Sequence, residues 1–219
     1  MNGFLIIDKD SGMSSYDVVR RLKRIRSFKK IGYIGTLDRN ATGILPVALN
    51  EAVKLIPFLE NGQKAYRATF LLGTTTDTLD IEGKVLSTVE IEPFETVRLQ
   101  DLLKTFEGKI TQQIPVYSSK KVNRKPLYKW AREGVPIELP TKEVEIFDIH
   151  FLDYTHPYLT IDVSCSKGTY IRALAQDFGG ALGCGATLYA LKRTKLQEWC
   201  ELRNDETYQH ENSDMHHID

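Results

Sequence analysis

Gly32-Tyr33-Ile34-Gly35-Thr36-Leu37-Asp38-Arg39-Asn40-Ala41-Thr42-Gly43, followed by the apolar Ile44-Leu45-Pro46-Val47, is the stretch on which the reading of this chain turns. Glycines at 32, 35 and 43 let the backbone bend tightly and approach a ligand closely, because no Cβ obstructs either. One acid, Asp38, stands among them. A turn aspartate serving neighbouring backbone amides is the plain account of it. A carboxylate presented to a ligand by a glycine-hinged loop is the other, and this segment alone does not separate the two. A dinucleotide-binding fingerprint would need G-x-G-x-x-G between a strand and a helix, and these spacings do not supply it.

Upstream, Phe4-Leu5-Ile6-Ile7 reads as a buried strand ending in the turn Asp10-Ser11-Gly12. Ser14-x-x-Asp17 resembles a capping box, and Val18, Leu22 and Ile25 then share one helical face. The rest of that helix and its exit are basic: Arg20, Arg21, Lys23, Arg24, Arg26, Lys29 and Lys30. Such a surface is either simply solvated or turned toward phosphates. Downstream, residues 51–60 have a helical pattern, and Tyr66, Ala68, Phe70 and Leu72 alternate along a strand from Lys64 to Leu72. Thr76-Asp77 through Asp80 and Gly83 reads as a loop and turn. Leu99, Leu102, Leu103 and Phe106 make an amphipathic helix stopped by Gly108, and Pro126 opens a short helix that Gly134 closes. Leu159, Ile161, Val163 and Cys165 alternate as a half-buried strand. Ser166-Lys167-Gly168-Thr169 then leads into a helix whose apolar face is Ile171, Leu174, Ala175 and Phe178. Strands and helices mixed in this irregular order predict an α+β fold rather than a doubly wound sheet.

The 219 residues are 42% hydrophobic, enough for one sizeable core and too apolar for global disorder. No apolar run approaches the roughly 20 residues that span a bilayer. The N-terminus has neither a basic leader nor a small-residue cleavage site, so a cytoplasmic protein is expected. Cys165, Cys184 and Cys200 form neither CxxC nor a zinc-ligand pattern, and read as thiols in a reducing compartment. His216-His217 fall in a polar tail, so no metal site is expected. Formal net charge is zero but unevenly spread. From Glu201 onward six acids face Arg203 alone, a net −5 that leaves +5 on residues 1–200, the sign needed for phosphate contacts. The division expected is a folded unit over 1–200 and a polar acidic C-terminal tail, frayed, over 201–219.

Arg172 is the second irregularity. It falls in the first turn of its helix, where a positive charge opposes the macrodipole by about 0.3–1 kcal/mol. A carboxylate elsewhere is the natural compensation, and a guanidinium favours the charged form of an aspartate beside it. The sequence does not say which acid that is.

Taken together, these blocks resemble the TruB family of pseudouridine synthases. Gly32 to Asp38, with Ala41-Thr42-Gly43 and Leu45-Pro46-Val47, is similar to the family's signature loop. Asp8-Lys9 with Gly12 and Ser14-Ser15 is similar to its N-terminal motif. Lys64-Ala65-Tyr66 is similar to its tyrosine motif, followed by Leu72-Gly73, Thr76-Asp77-Thr78 and Asp80. Gln112, Pro115, Tyr117, Ser118, Lys121 and Tyr128 with Ala131-Arg132 resemble a further block. Ser166 to Arg172, and Leu182-Gly183-Cys184-Gly185-Ala186 through Leu191-Lys192-Arg193, resemble the last. In this order the blocks cover nearly the whole chain.

The resemblance implies a pseudouridine synthase catalytic fold over residues 1–200, with a mixed, mainly antiparallel central sheet flanked by helices and loops. It implies isomerisation of uridine to pseudouridine in the T-loop of tRNA, at position 55, on a flipped-out nucleotide. Asp38 matches the nucleophile, and Arg172 the arginine that pairs with it. Tyr66 matches the tyrosine that stacks on the uracil and has been considered for proton removal from C5. Tyr170 and Leu191 match positions lining the nucleotide pocket, and Lys9 a lysine near the site whose role is structural first. Arg20, Arg21, Lys23, Arg24, Lys29 and Lys30 are the candidates for RNA-backbone contact. The chain departs from the family at Tyr33, where a histidine thought to help hold the flipped RNA is usual, and at Arg39, where proline is usual. An aromatic ring at 33 can still stack on a base. The reaction has no redox change and no net group transfer, so no cofactor is implied. The partner implied is the T-arm of tRNA, with no membrane and no obligate protein partner. Nothing after Trp199 looks able to build the PUA-type C-terminal domain many members carry, so either RNA affinity comes from the catalytic domain alone or the sequence is a piece of a longer protein, and a guide-dependent role is not expected. The competing readings are a non-catalytic tRNA-binding protein or RNA chaperone on the same fold, or the same chemistry on another RNA.

Overall fold

The structure is a computed structural model and describes residues 2–196; the acidic tail, Cys200 and His216-His217 lie outside the described residues. In chain order the elements are β1 (Gly3–Lys9), α1 (Ser15–Ile25), β2 (Ile31–Tyr33), β3 (Thr42–Leu49), a 3-10 turn (Asn50–Leu55), α2 (Ile56–Leu59) and β4 (Lys64–Leu72). There follow β5 (Thr74–Thr76), β6 (Val85–Thr88), α3 (Thr96–Lys104), β7 (Gly108–Gln113), β8 (Lys121–Val122), β9 (Lys125–Pro126) and α4 (Leu127–Arg132). The last four are β10 (Thr141–Thr155), β11 (Tyr158–Cys165), α5 (Ile171–Leu182) and β12 (Ala186–Leu196).

Eight strands form one sheet in the order β1-β3-β12-β4-β11-β10-β7, with β2 also pairing β3. Every pairing in it is antiparallel except β3 with β12, which meet in parallel at Thr42–Lys192 and Gly43–Arg193. The fold is α+β with a mixed, mainly antiparallel sheet, as the sequence predicts. Strand β4 runs between β11 and β12, so the alternation of Tyr66, Ala68, Phe70 and Leu72 puts four apolar side chains into one core. Helices α3 and α5 cover that face: the ring of Phe178 lies 6.0 Å from that of Phe70 and 5.9 Å from that of Phe106. No helix among the described residues is long and apolar enough to cross a membrane.

Helix α1 starts where expected. The Ser14 hydroxyl accepts from Asp17 N at 3.1 Å and the Asp17 carboxylate accepts from Ser14 N at 2.8 Å, closing the capping box. Its buried face is Ser15, Val18, Val19 and Leu22, whereas Ile25 is 41% exposed, because the helix ends there and its last turn overhangs the core. The helical pattern over 51–60 resolves into the 3-10 turn and the single turn of α2, which opens on Pro57. Strands β10 and β12, unread in the sequence, both lie inside the sheet, β10 between β11 and β7 and β12 between β3 and β4.

Pro46 stands inside β3, where a missing N–H ordinarily breaks a ladder. On one side β3 pairs β1 from Gly43 to Leu49; on the other it meets β12 only at Thr42 and Gly43, and β2 only from Val47 to Leu49. The Pro46 carbonyl accepts from Ile34 N at 2.9 Å on that interrupted side, so the proline nitrogen faces the gap between the two short partners. The gap is where the chain leaves β2 for the loop carrying Asp38.

Candidate active site

The loop from Ile34 to Ala41 is pinned on both flanks of Asp38. Before it, Leu37 N donates to the Ser15 hydroxyl at 2.9 Å, and that hydroxyl donates to the Leu37 carbonyl at 3.1 Å. After it, the Arg39 carbonyl accepts from Gly12 N at 3.0 Å and from the Lys9 ammonium at 3.2 Å. Lys9 is buried and also donates to the carbonyls of Asp10 at 2.9 Å and Met13 at 2.8 Å, bracing the β1–α1 turn against the loop. Its pKa is lowered, chiefly by burial, with the nearby Asp10 and Asp38 opposing. The Arg39 side chain reaches the same turn, its Nε donating to the Gly12 carbonyl at 2.8 Å. Two of the glycines are required by Arg193. Gly35 has φ +68° and a Cβ there would stand 2.9 Å from Arg193 Nη1; Gly43 has φ +94° and a Cβ would stand 2.3 Å from the Arg193 carbonyl oxygen.

Arg172 is the second residue of α5 and is buried, and its charge has four acceptors around it. Its Nε lies 3.0 Å from Asp38 Oδ2 and its Nη1 3.4 Å from Asp80 Oδ2. It also donates to the carbonyls of Thr78 at 2.9 Å and Tyr117 at 3.1 Å. The cation that opposes the helix dipole is thus offset by two carboxylates rather than one. Asp80 is held from its other oxygen by the Thr78 hydroxyl at 2.6 Å and Glu82 N at 3.1 Å. Among the described residues Asp38 makes no such second set of bonds, and its side chain is 48% exposed, so it is the carboxylate that stays presented to solvent.

That carboxylate opens into a cleft of about 440 Å³. Tyr66, Tyr170 and Leu191 line it with Asp38 and Arg172, and so do Tyr117, Tyr128, Lys64 and Arg132. Tyr66 reaches the cleft from β4 and is otherwise enclosed; burial pushes its phenol up to about 12, against the partial relief of a hydrogen bond from Arg193. Tyr170 is set by Gln112, whose side-chain oxygen accepts from Tyr170 N at 3.0 Å and whose amide donates to the Tyr170 carbonyl at 3.3 Å. Tyr33 is not brought to this cleft. It sits in β2 opposite Val47, half-buried against the core. The cations Arg20, Arg21, Lys23, Arg24, Lys29 and Lys30 are exposed on and after α1, and none lines the cleft. Cys165 and Cys184 are buried free thiols, the first pushed up to about 11 by burial. Among the described residues no group of three or more His, Cys, Asp or Glu side chains is placed to hold a metal ion.

Two site residues fall in the family-like blocks of the sequence without a role being read for them. Asp80 looks like any turn acid, and nothing local connects it to Arg172. Arg193 is fully buried in β12, donating to the carbonyls of Ile44 at 2.8 Å and Gly35 at 3.0 Å, yet its sequence surroundings, Lys192 and Lys195, suggest a solvated stretch.

The family model of TruB family pseudouridylate synthases, N terminal domain, matches residues 23–171. The chain belongs to the TruB family. A tRNA pseudouridine synthase B of Syntrophus aciditrophicus (strain SB) is 49% identical over 195 residues, which are 89% of this chain and 62% of that one. The synthase of the same name from Geotalea uraniireducens (strain Rf4) is 46% identical over 194 residues, 89% of this chain and 63% of that one. This TruB-family chain therefore spans 62–63% of the length of these curated relatives. Among solved structures, the crystal structure of a Cbf5-Nop10-Gar1 complex contains a chain that superposes with a TM-score of 0.70 at 27% identity, covering 90% of this chain and 50% of that one.

Proposed function

We propose that this chain isomerises uridine to pseudouridine in the T-loop of tRNA, at position 55, with Asp38 acting on a flipped-out nucleotide. The observation that carries the reading is the pair Asp38–Arg172 at 3.0 Å, at the edge of a cleft large enough for a nucleotide. Family membership and the name of the relatives support the reaction and the tRNA substrate. Such a role puts the protein with its RNA in the cytoplasm.

The reaction breaks N1–C1′, turns the free uracil and joins C5 to C1′. One proton leaves C5 and one is gained at N1, so nothing is consumed and no redox partner is called for. A carboxylate is suited to it because it can add to the substrate and leave again. Attack at C1′, attack at C6 and proton abstraction through a glycal all need the same group at the same place, and Asp38 fills it in each. Arg172 positions that group and carries compensating charge while the adduct forms and breaks. Tyr66 supplies a ring for the extruded uracil to stack on, returning about 1–3 kcal/mol of the few kcal/mol spent on leaving the RNA stack. Burial pushes the Tyr66 phenol up to about 12, so in the free enzyme it stands as a neutral ring.

The deciding experiment incubates parent and Asp38→Asn proteins with an in vitro transcribed tRNA and maps pseudouridine at each position. The parent is expected to convert position 55, and Asp38→Asn to bind the tRNA and convert nothing. Full conversion by Asp38→Asn would remove the assignment. A parent that bound the tRNA without converting it would be an RNA-binding protein on this fold.

A further inference from the structure

Asp38 opens a four-residue turn. Ala41 N donates to the Asp38 carbonyl at 3.2 Å, which makes Arg39 and Asn40 the two central residues. Neither has a positive φ, as in a type I turn, where proline is favoured at the first central position because its ring presets the backbone. Arginine presets nothing, so something else must hold this turn. We propose that Arg39 is a positioning residue for the nucleophile, its side chain locking the turn onto the start of α1 and so setting how Asp38 approaches the cleft. The inference rests on the pseudouridine synthase reading above and deepens it, adding a residue that acts on the reaction only through Asp38.

Gly12 and Arg39 hold each other twice. Gly12 N donates to the Arg39 carbonyl at 3.0 Å, and Arg39 Nε donates back to the Gly12 carbonyl at 2.8 Å. A single bond between two loops is a hinge. Two bonds close a ring, and neither loop can pivot or slide along the other without breaking one of them. Gly12 lies two residues before Ser14, the N-cap of α1, so the turn after Asp38 is fastened to a helix rather than to another mobile loop. The flank before Asp38 is tied to the same helix through Leu37 and Ser15. Asp38 itself is half-exposed and held by Arg172 from one side, so its remaining freedom is set by those two flanks.

Charge has the smaller share in this lock. Arg39 Nη2 lies 3.9 Å from Asp17 Oδ2, with the guanidinium 60% exposed and the carboxylate already engaged by Ser14 and Arg20. An ion pair that long and that wet contributes little. The 2.8 Å bond from a cation to a carbonyl is the stronger contact. The side chain also stands apart from the chemistry: Thr36, Leu37 and Asp38 line the cleft and Arg39 does not. The Arg39 N–H makes no hydrogen bond among the described residues, so a proline at 39 would remove no backbone bond. Proline therefore separates the two ways of fixing this turn, by a ring in the backbone or by a tether from the side chain.

The test compares parent, Arg39→Ala and Arg39→Pro proteins, with folding checked by circular dichroism. Single-turnover conversion of an in vitro transcribed tRNA at saturating enzyme is measured beside tRNA affinity by filter binding. Arg39→Ala is expected to convert about tenfold more slowly with unchanged affinity, the mark of a loosened nucleophile. Arg39→Pro is expected to convert within about twofold of the parent, although it has lost the same guanidinium. An Arg39→Ala protein that lost affinity but not rate would make Arg39 an RNA-backbone contact and overturn the proposal. Conversion at the parent rate by Arg39→Ala, or a folded Arg39→Pro protein as slow as Arg39→Ala, would overturn it too, with the enzyme left in place. A folded parent that converts no tRNA would remove the function itself, and the positioning role with it.

Discussion

One guanidinium in this fold is shared by two carboxylates and two backbone carbonyls, and its five N–H donors are the reason the position needs arginine. A lysine would keep the charge but offer a point in place of a planar fork, releasing Asp38 from its fixed approach to the cleft. Arg172→Lys is therefore expected to lower kcat for pseudouridine formation by about 100-fold or more, the cost of an ångström-scale misplacement, while tRNA affinity changes little. Arg172→Ala adds a stability loss of about 1–3 kcal/mol, because Asp80 is largely buried and loses its cation. Single-turnover kinetics with a filter-binding assay, and urea melts, separate the two effects; a variant that lost only affinity would make Arg172 an RNA-binding residue. At this scale the sequence was partly legible. A cation at the start of a helix announces that a carboxylate waits somewhere, and glycines around Asp38 announce a loop with a purpose. Asp80 announces nothing, since the bonds that fix it within its own turn would look the same without Arg172.

Among the long strands, an unbroken period made the element legible. β4 and β11 alternate cleanly and were read, whereas β10 shifts register between Ile146 and Asp148 and again between Phe151 and Asp153, and β12 between Leu188 and Ala190 and between Arg193 and Lys195. Each shift sends the following side chains to the opposite face, so the alternation that betrays a strand is reset twice along each. The same irregularity carries the site's scaffold, because β12 at Arg193 is what the signature loop folds against. Its contact with Gly43 is backbone to backbone and has nothing flexible to give. Gly43→Ala is accordingly expected to destabilise by about 3 kcal/mol or more, combining strain at φ +94° with a 2.3 Å collision, and to lose activity even where it remains folded. Gly12→Ala is the control: its φ of +86° carries strain, but no atom lies within 4 Å of the added Cβ, so a smaller loss is expected in the same chemical denaturation experiment. Equal losses would mean that backbone conformation alone, and not the approach of β12, fixes the loop.

Over the whole molecule the formal charge of zero hides a division of labour. Lys64 and Arg132 line the cleft itself, and a separate set of exposed cations rides on α1 and its exit. Helix α1 is coupled to the nucleophile through Ser15 and Leu37, so RNA held along it would be held in a fixed relation to Asp38. Whether its basic face touches phosphate or only water has a thermodynamic signature. Each phosphate neutralised by a lysine or arginine releases counterion, and the logarithm of affinity falls with the logarithm of salt concentration by about 0.7–0.9 per contact. Lys23→Gln with Arg24→Gln is expected to weaken tRNA binding and to reduce that slope by about 1.4–1.8, two contacts' worth, with similar reductions for every tRNA tried, because phosphate contacts carry no sequence. A solvated face would leave the slope unchanged. Binding isotherms at several salt concentrations distinguish the two, and an unaltered slope would move the RNA path off α1 and leave Lys64 and Arg132 as its cationic contacts.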